Sequence, residues 1–118
     1  MNAMEHHPVP VSMELQEGFV LVRAEIGRLG LEELSSFGAR LNEITQLYAG
    51  REVILDLTAV EMLSSVIISR IFKARKELLD SGGNLRIVAG NPTVLKVFHT
   101  VQLDRIVAIF PSVAEAMA

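Results

Sequence analysis

Two adjacent hydroxyls, Ser64 and Ser65, separate one apolar stretch from the next in EMLSSV. Serine is favoured at the start of a helix, where its oxygen accepts a backbone N–H and contributes ~1 kcal/mol. Serine can also carry a phosphate, which at a helix N-terminus faces unpaired backbone N–H groups and the positive end of the dipole. The pair therefore predicts a helix cap and also permits a phosphorylation switch. On physical grounds alone, the cap is the favoured interpretation.

Other residues offer little for catalysis. A nucleophile needs a base within hydrogen-bond reach, and His99 falls late in a predicted helix, where we expect it on the surface. His6 and His7 could bind a metal as a pair, but adjacent histidines near a terminus are usually solvated. Asp56 ends an apolar run, where we expect it to cap a turn. With no glycine-rich phosphate loop in the sequence, we expect a protein that is not an enzyme and that uses no cofactor or metal.

Composition narrows the class of protein further. The chain has 118 residues, half of them hydrophobic, which fits one domain with a real core. A net charge of −3 makes nucleic acid an unexpected partner, since phosphate binding requires a basic patch. Cysteine is absent, which excludes disulfides and thiolate metal sites. No run reaches the roughly 20 apolar residues of a membrane span, and the start lacks the pattern of a secretory signal, so we expect a cytoplasmic protein.

Hydrophobic periodicity and turn residues predict the order β-β-α-β-α-β-α-β-α. The predicted strands are 11–16, 19–26, 52–57, 85–89 and 106–110. The predicted helices are 31–47, 64–80, 92–100 and a short one after Ser112. Short links between alternating strands and helices imply parallel pairing with right-handed crossovers. We therefore expect an α/β fold: one domain over residues 11–118 with a small mixed sheet flanked by helices, preceded by a loose tail at residues 1–10.

This order would place the two hydroxyls where α/β proteins bind their ligands. Ser64 and Ser65 follow the strand EVILDL, and Asn91 holds the equivalent position after the strand LRIVA. Parallel strands end at one edge of the sheet, and this edge is the usual binding crevice of such folds. Asn91, followed by Pro92, also suits the start of a helix.

These motifs carry a family resemblance. Residues 52–118 resemble a STAS domain of the anti-sigma-factor antagonist type, and the earlier part fits in element order. The resemblance depends on the Leu-Asp-Leu strand end, the paired hydroxyls that open a helix, the turn SGGNLRIVAGNP and the short acidic, Ala-rich closing helix. It implies partner switching: the protein binds an anti-sigma factor that is also a serine kinase, and so releases the sigma factor. Phosphorylation of the first hydroxyl in Asp-Ser-Ser/Thr-Gly breaks that complex, and a phosphatase resets it. By position, Ser64 would be the phosphoacceptor, with Ser65 beside it.

The sequence departs from that motif on both sides of the hydroxyls. Leu63 replaces the Asp, Val66 replaces the Gly, and Gly30 stands where the family often has a further acid. With Met62, these substitutions place apolar side chains around the helix start, and an exposed apolar cluster usually marks a contact surface. We hypothesise that Met62, Leu63 and Val66 bind a protein partner or a second copy in a homodimer, so that Leu63→Asp weakens the complex. The predicted partner surface comprises Met62, Leu63, Ser64, Ser65, Val66 and Asn91.

Two other functions stay open at this point. The chain could be a constitutive STAS interaction subunit of a signalling complex or a lipid transporter, with purely structural serines. A small molecule or nucleotide could also bind at the strand ends. Neighbouring genes for a histidine-kinase-like serine kinase would favour partner switching, whereas transporter genes would favour the constitutive subunit.

Overall fold

Five strands form one sheet in the order β1-β2-β3-β4-β5, with the first pair antiparallel and the others parallel. The computed structural model of the chain describes residues 11–25 and 31–118, without the side chains of residues 31–35. The strands are β1 Val11–Gln16, β2 Phe19–Ala24, β3 Glu52–Asp56, β4 Asn84–Val88 and β5 Ala108–Phe110. The helices are α1 Leu31–Leu47, α2 Ser65–Asp80, α3 Pro92–Thr100 and α4 Val113–Met117. The predicted element order and fold class are confirmed. In the part of the chain described, no helix combines the length and apolar character needed to cross a bilayer.

The two faces of the sheet are covered unequally. The parallel crossovers add β3, β4 and β5 one after another at the same edge of the sheet. Because such crossovers are right-handed, α1, α2 and α3 all lie on one face of the sheet. Alternate strand residues such as Val53 and Leu55 point into that main core, where they meet Phe37, Ile71 and Phe98 of the three helices. The short α4 packs on the other face through Ala116, against the buried residues Leu21, Ile54 and Val88.

The residues Ser81-Gly82-Gly83-Asn84 follow the predicted helix 64–80, where glycine predicts a left-handed cap, and α2 ends in such a glycine motif. The Gly83 N–H donates to the Leu78 carbonyl at 2.8 Å, and the Gly82 N–H donates to the Leu79 carbonyl at 3.1 Å. This is the Schellman arrangement, and Gly82 has the positive φ of 91° that it requires. Gly83 is needed for another reason, because a Cβ at this position would lie 2.3 Å from the Arg51 carbonyl oxygen. The close approach fixes the end of α2 against the start of β3.

Some sequence predictions need correction. The apolar spacing in the predicted helix 31–47, at positions 31, 34, 37, 41, 44 and 47, predicts that Leu47 is buried. Leu47 is instead 66% exposed, and Tyr48, four residues after buried Ile44, packs on the core. The last strand begins at Ala108 rather than at Ile106, since the amide of Ile106 donates to Leu103 and closes a 3₁₀ turn that the sequence did not predict. The tail at residues 1–10 and Gly30 lie outside the described residues.

Candidate functional site

Ser64 is the N-cap of α2. Its backbone is extended, with φ −85° and ψ 161°, and its Oγ accepts the backbone N–H of Ile67 at 3.3 Å. Its carbonyl accepts the N–H of Ile68 at 3.2 Å, so the helix ladder starts here. The Ser64 side chain is half-buried, whereas Ser65, the first residue of α2, is exposed. The predicted cap is confirmed, and both hydroxyls lie at the positive end of a 16-residue helix.

Asn91 has the same role at the start of α3. Its Oδ1 accepts the backbone N–H groups of Thr93 at 2.8 Å and Val94 at 3.3 Å, and Pro92 occupies the first turn. β3 and β4 are neighbouring parallel strands, so the two helices that follow them begin at the same edge of the sheet. The structure therefore brings the caps of α2 and α3 to one edge, as the sequence predicted.

The predicted apolar cluster divides into two parts. Met62 is 54% exposed and Val66 is 44% exposed, so both present apolar surface around the capped start of α2. Leu63 is half-buried and packs against the main core. A charge at Leu63 would therefore disturb the core as well as any partner contact. For this reason Met62 and Val66, rather than Leu63, are the positions at which docking can be tested cleanly.

Asp56 fixes the connection that leads from β3 to Ser64. It is 7% exposed, and its Oδ1 accepts the backbone N–H of Thr58 at 2.9 Å as well as the Thr58 hydroxyl. The other oxygen, Oδ2, accepts Nε of Arg23 at 3.2 Å, and Arg23 also donates to Glu14 at 2.8 Å. The expected turn-capping role is confirmed. The sequence did not reveal Arg23, although the parallel register of β2 and β3 places it opposite Asp56.

Arg70 and Lys73 form a basic flank on α2, next to the helix start. The sequence did not indicate these residues as a site. Val66, Arg70 and Lys73 recur at spacings of four and three, so they share one side of α2. This side faces α1, where a Cβ at Gly38 would lie 3.0 Å from Nε of Arg70. The seam between the helices leaves about 10 Å³, which is room for about one water molecule. It is too small for an organic ligand.

A larger open depression of about 450 Å³ lies elsewhere. It is lined by Thr45, Gln46, Ala49, Glu77, Asp80 and Ser81. These residues belong to the C-terminal ends of α1 and α2, whereas the strands' carboxyl ends meet the N-terminus of α2. The depression gives no support to a small molecule bound beside Ser64, and that hypothesis stays a prediction.

The fold and the capped edge define a class of protein. The family model described as STAS domain matches residues 12–116, so the chain belongs to the STAS domain family. The family resemblance predicted from the sequence is thereby confirmed.

Two similar proteins carry the name of anti-sigma factor antagonists. A Thermotoga maritima protein provisionally named an anti-sigma factor antagonist is 35% identical over 66 residues, which span 56% of this chain and 58% of that relative. A crystal structure from the same organism, with the same provisional name, is 25% identical over 91% of both chains, with a TM-score of 0.78.

The fold also matches SpoIIAA in two states. The anti-sigma factor antagonist SpoIIAA in its unphosphorylated form is 19% identical over 91% of this chain and 92% of that one, with a TM-score of 0.75. The Bacillus cell fate determinant SpoIIAA in its phosphorylated form is also 19% identical, over 91% of this chain and 96% of that one, with a TM-score of 0.69. At this identity, the likeness shows a shared fold.

Proposed function

We propose that this protein is a cytoplasmic anti-sigma factor antagonist that acts by binding rather than by catalysis. Its partner is an anti-sigma factor that is also a serine kinase, and phosphorylation of Ser64 controls the complex. The observation that carries this proposal is the position of Ser64, which caps α2 at the carboxyl edge of the sheet in a STAS domain related to such antagonists. The contact surface comprises Met62, Ser64, Ser65, Val66 and Asn91. Leu63 packs against the main core and positions the connection between β3 and α2.

The helix start gives this switch a physical basis. The kinase transfers the γ-phosphoryl group of ATP to Oγ of Ser64, the hydroxyl proton passes to a base of the kinase, and ADP leaves. The phosphate adds about −1.5 to −2 charge next to the first backbone N–H groups of α2, which can accommodate it. A partner docked on exposed Met62 and Val66 would meet that charge directly. The domain can therefore stay folded while the complex dissociates.

A second function is favoured by the residues that flank the hydroxyls. The resemblance places an acid where Leu63 packs on the core, and Asp56 cannot replace it because its oxygens accept Thr58 and Arg23. A kinase that requires the acid would not modify this site. The domain would then be a constitutive interaction subunit of a signalling complex or a lipid transporter, and it would use the same exposed Met62 and Val66.

Phosphosite mapping by mass spectrometry on the protein from its own host separates these functions. Ser64→Asn is the most informative variant, because Asn caps helices as well as Ser but cannot accept a phosphoryl group. We expect phosphate on Ser64 of the wild-type chain and none at this position in Ser64→Asn. Because that variant cannot be phosphorylated, it should stay bound to the kinase. Ser65→Ala serves as the matched control and should still be phosphorylated. A chain that stays unmodified under several growth and stress conditions would instead support the constitutive subunit.

Docking at the helix start is tested by Met62→Asp and Val66→Asp. Both side chains are exposed, so neither change buries a charge. We expect each variant to fold like the wild type and to lose at least about tenfold in affinity for the kinase, since apolar anchors at the centre of an interface often contribute 1–2 kcal/mol. Leu47→Asp is the control, because Leu47 is also an exposed apolar residue and lies at the C-terminal end of α1. Unchanged affinity in both test variants would place the partner elsewhere.

A further inference from the structure

The side of α2 that begins at Val66 carries two cations close to the proposed site. Arg70 and Lys73 are exposed and follow Val66 by one and two turns on the same side of the helix. At 1.5 Å per residue, Arg70 lies roughly 9 Å along the axis from Ser64, about one Debye length at physiological salt. A partner segment docked here would therefore interact both with a phosphate on Ser64 and with the charges of Arg70 and Lys73.

Arg70 and Lys73 differ in their pairing from two other cations of α1 and α2. Lys76 on the next turn is paired with Asp80 at 3.0 Å, and Arg40 of α1 is paired with Glu43. Within residues 11–25 and 36–118, Arg70 and Lys73 have no carboxylate within 4.0 Å. The chain as a whole carries a net charge of −3. A surface with two such cations beside exposed apolar residues is therefore a local feature that suits an acidic partner.

Gly38 keeps this flank open on the side of α1. A Cβ at this position would lie 3.0 Å from Nε and 3.4 Å from Cδ of Arg70. Glycine therefore leaves room for the Arg70 side chain to cross the seam between the helices. Since the seam itself holds only about 10 Å³, no side chain of a partner can enter it. A partner must lie over the seam and engage the charged ends of Arg70 and Lys73.

We propose that Val66, Arg70 and Lys73 form a docking surface for an acidic helix of the protein partner. Two carboxylates one turn apart on that helix would face Arg70 and Lys73, and an apolar residue one turn further would pack on Val66 and Met62. The identity of the partner as a serine-kinase anti-sigma factor rests on the proposed function, whereas the chemistry of the docked segment rests on this surface. Phosphate on Ser64 would then act by repelling the acidic helix from one end of the surface.

The test compares two double variants of equal charge. R70E/K73E reverses the flank, and R51E/R105E reverses two exposed arginines that, within the described residues, also lack a carboxylate within 4.0 Å. The probe is the purified serine-kinase anti-sigma factor from the same genome. We expect R70E/K73E to lose at least about tenfold in affinity and to bind better as salt is raised, since salt screens the new repulsion, while R51E/R105E changes much less. R70Q/K73Q, which removes charge without adding any, should show an intermediate loss. Equal losses in the two reversed variants, or no loss in either, would overturn the docking surface.

A photo-crosslinker at the exposed Ser69 separates this inference from the proposed function. It is introduced into the full chain in the native host, and the crosslinked peptide is sequenced. An acidic helix of a serine kinase, lost in R70E/K73E, supports both proposals. An acidic helix of another protein, lost in the same variant, supports the surface and removes the kinase as partner. A crosslink to a second copy of this chain or to a basic segment, or no crosslink while the kinase binds, would contradict the docking surface.

Discussion

The Oγ atom of Ser64 accepts the backbone N–H of Ile67 at 3.3 Å, so the proposed phosphoacceptor is also the cap of α2. After phosphorylation this oxygen would be an ester oxygen, and the phosphate oxygens beyond it are stronger acceptors for the same N–H groups. The modification would therefore replace a cap rather than remove one. A replacement at Ser64 can therefore keep the helix cap and still remove the phosphorylation site. Alanine removes both, whereas asparagine removes only the phosphorylation site.

Ser64→Ala should lower the free energy of unfolding by ~1 kcal/mol, because it removes the acceptor for Ile67 N–H. Ser64→Asn and Ser64→Asp should stay close to the wild type, since both residues cap helices as well as serine. Ser65→Ala is the matched control, because Ser65 is the exposed first residue of the helix. Urea denaturation followed by circular dichroism measures all four variants. An alanine variant as stable as Ser64→Asn would show that the cap contributes nothing.

Asp56→Ala should destabilise the domain by about 1–3 kcal/mol, because it leaves Thr58 N–H and the Arg23 guanidinium without their buried acceptor. Glu14→Ala removes the other, exposed partner of Arg23 and should cost less than about 1 kcal/mol. Both carboxylates bind the same arginine, so the difference between the two losses reports the burial of Asp56 together with its bonds to Thr58. Equal losses of unfolding free energy in the two variants would mean that the turn at Thr58 does not depend on Asp56.

The sequence predicted the features that depend on neighbouring residues. The caps at Ser64 and Asn91 and the glycine motif at Gly82 each involve hydrogen bonds that span at most five residues. The buried stripe of α2 follows from helical spacing, and Ile67, Ile71, Ala74 and Leu78 are all buried. Since parallel strands end at one edge, the meeting of the two caps followed from the element order alone.

The features that the sequence did not predict depend on distant parts of the chain. Arg23 and Asp56 are 33 residues apart, and their contact requires the register between β2 and β3. Gly38 and Arg70 meet because α1 and α2 pack side by side, and no spacing within either helix indicates that contact. The direction of Leu63 toward the core depends on the path of the connection after β3. Each of these contacts is set by tertiary packing.

Gly83→Ala should be among the most damaging single substitutions in the domain. The new Cβ would lie 2.3 Å from the Arg51 carbonyl oxygen and 2.9 Å from its nitrogen, and backbone atoms cannot move aside as a flexible side chain can. We expect a loss of roughly 3 kcal/mol or more in unfolding free energy. Gly82→Ala is the control: it meets open space and costs only the strain of a positive φ, about 1 kcal/mol. Thermal denaturation of both variants would measure the difference, and a milder effect at Gly83 than at Gly82 would contradict the packing argument.

Arg86 should determine whether α4 stays on the sheet. Its Nη1 donates to the Ala116 carbonyl at 2.6 Å, its Nη2 lies 3.5 Å from Glu52, and its guanidinium lies 5.2 Å from the centre of the Phe19 ring. A helix of five residues cannot persist alone, because its few hydrogen bonds do not offset the cost of nucleation. Arg86→Gln would remove the ion pair with Glu52 and the cation above the Phe19 ring, because glutamine carries no charge. α4 would then depend on its small apolar contact.

We therefore expect Arg86→Gln to raise amide hydrogen exchange in residues 113–117 at least about tenfold and to lower the unfolding free energy by about 1–2 kcal/mol. Arg105→Gln, an exposed arginine outside this contact, is the control and should change neither. Since α4 and α2 pack on opposite faces of the sheet, Arg86→Gln should also leave affinity for a partner docked on α2 unchanged. Exchange in residues 113–117 that stays at the wild-type rate would mean that the apolar contact of Ala116, Val113 and Met117 is enough to hold the helix. A loss of affinity in a variant that is still folded would instead show that the two faces are coupled.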